Sequence, residues 1–413
     1  MTQSENTKPA VTLWALCALF GLTGCGDSTF QVRPTAPDEA AYVAIFPYYL
    51  EYCAVSEFDK KKGIGLEIDS GGPGGHSVFY LNGVCTVGGA GYPEIALCEG
   101  DPKPGQGVGI SVNDHFSNAN WVATEGRDFF YRGGLRPNEA LTRARFASIV
   151  TRAGAMGIYN GVVFHPDAFK GKPAGMSQRD YQYEVSVATD YAIGFGRDRY
   201  CARVPTDRAH MRTVVDYLNS RNAPYRAGNS VFHWNVLRDN CAHLAHNALA
   251  RIGLWPEIPT NRPWLAAAFD FPVPRNEFVN LMRRTNELDD TGPEDDDNAR
   301  AALRLGDGIA ARAGGLAVAE PVIQDNEVYN TRLRMIYYDD PNIGRYPRRF
   351  AALFADARYT DLRANLAWFA ARYTAILGQS PRPGEHKAFD ARYFEEIATR
   401  KAKLDAVLPG APG

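Results

Sequence analysis

The sequence predicts an α+β protein: an antiparallel sheet packed on a helix with a cysteine at its N-terminus, followed by a helical C-terminal region. Three observations lead there. Short runs of β-branched and aromatic residues, bounded by glycine-rich turns, recur through the first half of the chain. A capped apolar helix begins at Cys241. Helical spacing of large apolar residues takes over after an acidic break. The 413 residues are 45% hydrophobic and 22% charged, enough for one large or two medium domains. A formal charge of −2 offers no basic surface for nucleic acid.

Taken in order, Val11 to Leu22 is an apolar run of signal-peptide length, too short to span a bilayer. Residues 25–40 are polar with Pro34 and Pro37 and read as a tether. The aromatic-rich stretch 41–55 reads as a strand or a short packing segment. The glycine-rich loop 69–75 leads into a strand, His76 to Leu81. Further strands are expected at 107–112, 120–123, 183–188 and 200–204, with a helix within 136–155. Thr206 is expected to cap a helix whose Met211, Val214, Val215 and Leu218 share one face. Residues 287–298 are acidic and broken by Gly292 and Pro293, which reads as a solvated linker without calcium-loop spacing. Beyond it, Phe350, Leu353, Phe354 and Ala357, then Leu362, Leu366, Phe369, Tyr373 and Ile376, repeat at helical spacing. The expected division is a signal peptide 1–24, a tether 25–40, a body 41–286, a linker 287–298 and a helical region 299–413.

Residues 238–253 form the centre of this organisation. Asp239 or Asn240 caps the helix and Gly253 stops it, with Pro256 beyond. Ala245, Ala248, Leu249 and Ile252 make one apolar face, and Cys241, four residues before Ala245, lies on it. A thiol at a helix N-terminus feels the positive end of the helix dipole, which is expected to lower its pKa and favour the nucleophilic thiolate.

The tetrapeptide Leu22-Thr23-Gly24-Cys25, after its apolar run, resembles the bacterial lipoprotein signal. That resemblance implies lipidation at Cys25, export, and attachment to a membrane through the N-terminal lipid. In an oxidising compartment cysteines pair. Setting aside Cys17 and Cys25, five of the seven remain: Cys53, Cys85, Cys98, Cys201 and Cys241. Cys85 and Cys98 flank a glycine-rich turn and are expected to bridge a hairpin. Cys53 with Cys201 is the second expected bridge, which leaves Cys241 free.

Asn240-Cys241-Ala242-His243-Leu244 resembles the Asn-Cys-x-His-Phe signature of the lecithin retinol acyltransferase group, and Gly75-His76-Ser77-Val78-Phe79-Tyr80-Leu81 is similar to that group's histidine strand. The group belongs to the circularly permuted papain-like superfamily, beside NlpC-type cell-wall peptidases, and there the histidine strand precedes the cysteine helix, as here. The resemblance implies Cys241 as nucleophile and His76 as general base, acting on an amide or ester bond of a peptidoglycan peptide or a lipid acyl group. It also implies a third polar group that orients the histidine. The relatives place a second histidine about a dozen residues on, where this chain has Cys85-Thr86. Thr86, Asn113, Asp114 and His115 are the candidates.

His243 and His246 raise a zinc reading. At about 100° per residue they point roughly 200° and 140° away from Cys241, and two ligands are too few. No metal and no cofactor are therefore expected. Against the enzyme stands a non-catalytic envelope lipoprotein that uses the same fold as a binding or scaffolding module.

Overall fold

The computed structural model describes residues 30–66, 75–88, 91–269, 271–288, 311–331, 345–380, 384 and 387–408. Cys25, the signal segment, most of the 69–75 loop and most of the acidic linker lie outside the described residues.

The helices are α1 (Ala36–Ile45), α2 (Arg127–Arg132), α3 (Arg143–Met156), α4 (Gln178–Val185), α5 (Arg208–Arg226), α6 (Cys241–Ala250), α7 (Trp264–Phe269), α8 (Pro274–Asn286), α9 (Arg345–Ala355), α10 (Leu362–Leu377) and α11 (Lys387–Val407). The strands are β1 (Tyr48–Val55), β2 (His76–Asn82), β3 (Val84–Thr86), β4 (Ile95–Leu97), β5 (Gly107–Ser111), β6 (Val122–Glu125), β7 (Arg199–Thr206) and β8 (Leu316–Glu320). Six of the strands form one sheet in the order β6-β5-β2-β1-β7-β8, antiparallel at every pairing. The predicted α+β class, with an antiparallel sheet and a C-terminal helical region, is what the structure shows.

Period-two alternation divides the sheet into two faces. Leu50, Tyr52, Ala54, Phe79, Leu81, Val108 and Ile110 enter the larger core with Cys241, Leu244 and Leu249 of α6. Tyr49, Cys53, Val55, Val78 and Tyr80 line the other face with Tyr42 of α1 and Phe130 and Tyr131 of α2. That second face carries buried charge. The Glu51 carboxylate, fully buried, accepts from Arg127 Nη2 at 3.0 Å and Arg203 Nε at 2.6 Å. Arg127 and Arg203 also pair with Glu39 of α1. Burial pushes the Glu51 carboxyl up, but Arg127, Arg203 and Arg199 outweigh it and leave the pKa at about 2. A second group, Arg199 with Arg33 and Arg132 on Glu320, continues the network to β8.

Several boundaries move. Residues 30–40 are not a loose tether: Val32 and Ala319 exchange backbone hydrogen bonds at 2.8 and 3.0 Å, so the arm pairs with the outer edge of β8. Thr35 then opens α1 through a capping box with Asp38. The region expected to be helical from 299 contributes β8 to the main sheet, so the body extends through residues 311–331. The expected strand 183–188 is not formed: residues 183–185 end the helix 178–185, which Ser177 caps by accepting from the Asp180 N–H at 3.0 Å. The α5 cap is Asp207, one residue after the expected Thr206. α10 and α11 pack around Phe369, Tyr373, Tyr393 and Ile397 against Leu288 and Ala311. Among the described residues, no helix is long and apolar enough to cross a membrane.

Two disulfides are present among the described residues, and they are the expected ones. Cys53–Cys201 joins directly opposed residues of β1 and β7, and Cys85–Cys98 closes the β3–β4 hairpin region. Cys241 is the free cysteine among the described residues.

Candidate active site

α6 starts where its sequence says it should. Asn240 is the cap: its Oδ1 accepts from the His243 N–H at 2.9 Å, and its own N–H donates to His243 Nδ1 at 3.4 Å. Asn240 Nδ2 also holds the Val236 carbonyl at 2.6 Å. Asp239, the other candidate cap, instead takes Arg221 at 2.8 Å. Cys241 is therefore the first helical residue, packed against the end of β2.

The sulfur of Cys241 accepts the backbone N–H of Ser77 at 3.4 Å. The β2–β5 pairing runs from Phe79 to Asn82, so Ser77 pairs with Ala54 of β1 alone and the buried sulfur sits beyond the β5 ladder. Gly75 makes the entry to this strand. Its φ is +67°, and a Cβ there would stand 2.4 Å from the Val55 carbonyl oxygen, so only glycine fits immediately before His76.

His76 and Ser77 are neighbours in one strand, so their side chains leave opposite faces. The His76 ring meets Ser111 of β5, with Nε2 at 3.1 Å from Oγ. Ser111 donates its single hydroxyl proton to the Thr189 carbonyl at 2.8 Å. With that proton given away the oxygen accepts from the ring, an arrangement that favours the proton on Nε2 and leaves Nδ1 basic; the Thr189 carbonyl also interacts with the ring, and the Asp190 carboxylate with Ser111. Among the described residues, no hydrogen bond joins the His76 ring to the Cys241 sulfur. The two are brought to consecutive positions of one strand end, one through a backbone N–H and the other through its side chain.

Both groups are buried and both are held neutral. Burial, and then the nearby Arg197 guanidinium, lower the His76 pKa to about 3. Burial raises the Cys241 thiol above its ordinary value of 9.0, against the opposing pull of Ser77 and of the Ala242 and Cys241 N–H groups. The expected lowering by the helix start is thus real in direction but outweighed by desolvation. Arg197 is 4% exposed and is fixed by Nε on the Ala188 carbonyl at 2.7 Å and by Nη1 on the Ser56 carbonyl.

Among the described residues, no hydrogen bond joins any of the four candidates for the orienting group to the His76 ring. Thr86 bonds Glu125, Asn113 bonds Asp190 at 3.2 Å, and His115 lies 3.6 Å from Asp114. Ser111 takes the place at His76 instead. It lies within a predicted strand, but only the β2–β5 pairing, which no local pattern announces, brings it to the histidine. Arg197 and Thr189 gave no sequence signal. His243 and His246 are buried, as packing and hydrogen-bonding groups: His246 Nδ1 lies 2.6 Å from Glu277 Oε2, and the ring stacks on Trp255. Among the described residues, one cluster has ligand-like spacing, Glu51 with Cys53 and Cys201. Its sulfurs are joined to each other and its carboxylate is taken by two arginines, so it has no thiolate to offer a metal.

No family model, curated protein or solved structure matches the chain.

Proposed function

We propose that the protein is a lipid-anchored cysteine hydrolase or acyltransferase of the cell envelope, acting on an amide or ester bond of a peptidoglycan peptide or a lipid acyl group. One observation carries the reading. The single free cysteine among the described residues opens a helix, and its sulfur takes the N–H next to a histidine whose ring is held on Ser111 through Nε2. The two disulfides support an oxidising compartment, and hence export, because such bonds persist there. The lipid anchor rests on Leu22 to Cys25 alone.

In this reading the Cys241 sulfur attacks the acyl carbon as His76 Nδ1 takes the thiol proton, and the carbonyl electrons move to oxygen. Collapse of that adduct expels the amine or alcohol, which recovers the proton from His76. Water or an acceptor amine or alcohol then attacks the thioester, again with His76 as base. This reading requires the ring to reach the sulfur with substrate bound, where such contacts tighten. The N–H groups at the start of α6 would face the developing oxyanion.

The test is acylation. The purified protein is incubated with an activated short-chain ester or a muropeptide and quenched in acid, and the adduct is located by mass. A thioester on Cys241 is expected, with His76→Gln slowing its formation roughly 10²–10⁴-fold. Absence of an adduct with both substrates, or an adduct on another residue, rejects the enzyme.

A second reading, a binding module that retains the fold, is favoured by the burial of the sulfur and by the lack of a ring–sulfur hydrogen bond among the described residues. It predicts that Cys241→Ser leaves cellular function intact.

A further inference from the structure

The segment between α4 and β7 is built with strain that packing alone does not explain. Ala188 and Ala192 both sit in the left-handed region, at φ +64° and +51°, without being glycine. Backbone of this kind persists only where its surroundings over-determine it, and it clusters at sites. Here the surroundings are polar and specific. Ala188 N–H donates to the Tyr191 carbonyl at 2.9 Å, and Arg197 holds the Ala188 carbonyl. Thr124 Oγ1 donates to the Asp190 carbonyl at 3.0 Å. The Asp190 side chain, 1% exposed, accepts from Tyr159 Oη at 2.8 Å and Asn113 Nδ2 at 3.2 Å, both on Oδ2. Its Oδ1 is buried, and the carboxylate also interacts with the Ser111 hydroxyl. Between the strained alanines, Thr189 presents its carbonyl to Ser111, the residue that meets His76.

We propose that Asp190 is a positioning residue for His76: its carboxylate anchors the 188–192 turn so that the Thr189 carbonyl takes the Ser111 proton and forces Ser111 to accept from His76 Nε2. The carboxylate touches neither sulfur nor ring. It acts through Ser111, with which its side chain interacts directly, and through the turn and the Thr189 carbonyl, and selects which ring nitrogen is left basic. This rests on the reading of Cys241 and His76 as the reacting pair, but what it asserts directly is a ring tautomer. The geometry explains why a buried carboxylate is retained beside an imidazole without bonding it. A hydroxyl alone rotates freely between donor and acceptor roles, and a fixed carbonyl removes that freedom.

The experiment compares wild type, Asp190→Ala, Asp190→Asn and Ser111→Ala by ¹⁵N shifts of the His76 ring in the full chain. The same samples are acylated with the activated ester. Wild type is expected to show one tautomer, protonated at Nε2. Asp190→Ala and Ser111→Ala are expected to lose that single tautomer, and Asp190→Asn, which keeps an acceptor for Tyr159, to restore it at least in part. A folded Asp190→Ala protein with the wild-type tautomer overturns the proposal. If Asp190→Ala does not fold, Tyr159→Phe, which removes one bond to the carboxylate, decides on the same shifts: a second tautomer supports the proposal and an unchanged ring overturns it. The two readings fail separately. A shifted tautomer without any Cys241 adduct in wild type sinks the enzyme and keeps the positioning role. An adduct with an unmoved tautomer does the reverse.

Discussion

Replacing His76 by glutamine measures how firmly the fold excludes a proton from the ring. Burial and Arg197 bring the imidazole from 6.5 down to about 3. An unfolded chain takes up a proton near 6.5, whereas the folded one resists until near 3. The stability tied to this group is therefore complete above pH 6.5 and is lost as pH falls toward 3. The whole window is worth about 5 kcal/mol, at about 1.4 kcal/mol for each pH unit crossed. Between neutral pH and pH 5 only about 1.5 units of it are crossed, so the loss there is about 2 kcal/mol. Glutamine cannot take the proton but keeps a side-chain N–H for Ser111. Urea unfolding of both proteins at a series of pH values from 8 to 4 isolates the term, since every other acid-sensitive group is common to the two. Wild type is expected to lose about 2 kcal/mol more than His76→Gln on going to pH 5. Parallel pH profiles would mean that the ring protonates in place, and the neutral-base argument would fall with them.

Other expectations follow from the same structure. Because Cys241 is raised above 9.0, less than about 1% is thiolate at pH 7; its alkylation by iodoacetamide should rise about tenfold per pH unit from 6 to 8, and a plateau across that range would indicate a thiolate–imidazolium pair. The Cys53–Cys201 and Cys85–Cys98 bridges close separations of 148 and 13 residues. On loop entropy, replacing the first pair by alanines should cost about 5 kcal/mol and the second about 3, and urea unfolding that reversed the order would show that chain entropy does not govern them. Glu51→Gln leaves Arg127 and Arg203 buried without their carboxylate, so unfolding should show a loss of about 3–5 kcal/mol; a loss below about 1 would mean that water reaches the network.

The parts of this fold written locally were legible. The cap at Asn240, the apolar stripe of α6 and the strand opened by His76 depend on neighbours in sequence, and they stand where the spacing put them. The two bridges followed from counting cysteines in an oxidising compartment. Pairing between distant segments was not legible. Nothing in Leu316 to Glu320 distinguishes an edge strand of the main sheet from a short strand of a separate unit, and that pairing drew the helical boundary too early. Residues 183–188 carry strand-like side chains, yet the Ser177 cap and the packing of Tyr181 and Tyr183 made the first part helical. The site failed in the same manner. Thr86, Asn113, Asp114 and His115 follow the histidine strand in sequence, whereas the sheet brings to its ring a serine from the adjacent strand, itself bonded to a carbonyl 78 residues further on.

The burial of the thiol and the neutrality of the imidazole are consequences of one arrangement. An ion pair at rest would place two charges where neither is well solvated, and that cost exceeds what their attraction returns unless each is fully hydrogen-bonded. The fold instead keeps the proton on sulfur and fixes the cation next to the ring as Arg197, which is bonded to two backbone carbonyls and cannot leave. A fixed cation penalises imidazolium but favours negative charge. In the proposed reaction that bias acts when charge forms on sulfur or on the substrate oxygen, not before. The N–H groups of Ser77 and of the first turn of α6 already face the sulfur and need no reorganisation when charge arrives. Under the proposed reaction such a thiol becomes nucleophilic only with substrate in place, a protective property for the one unpaired cysteine among the described residues, whose other cysteines are oxidised.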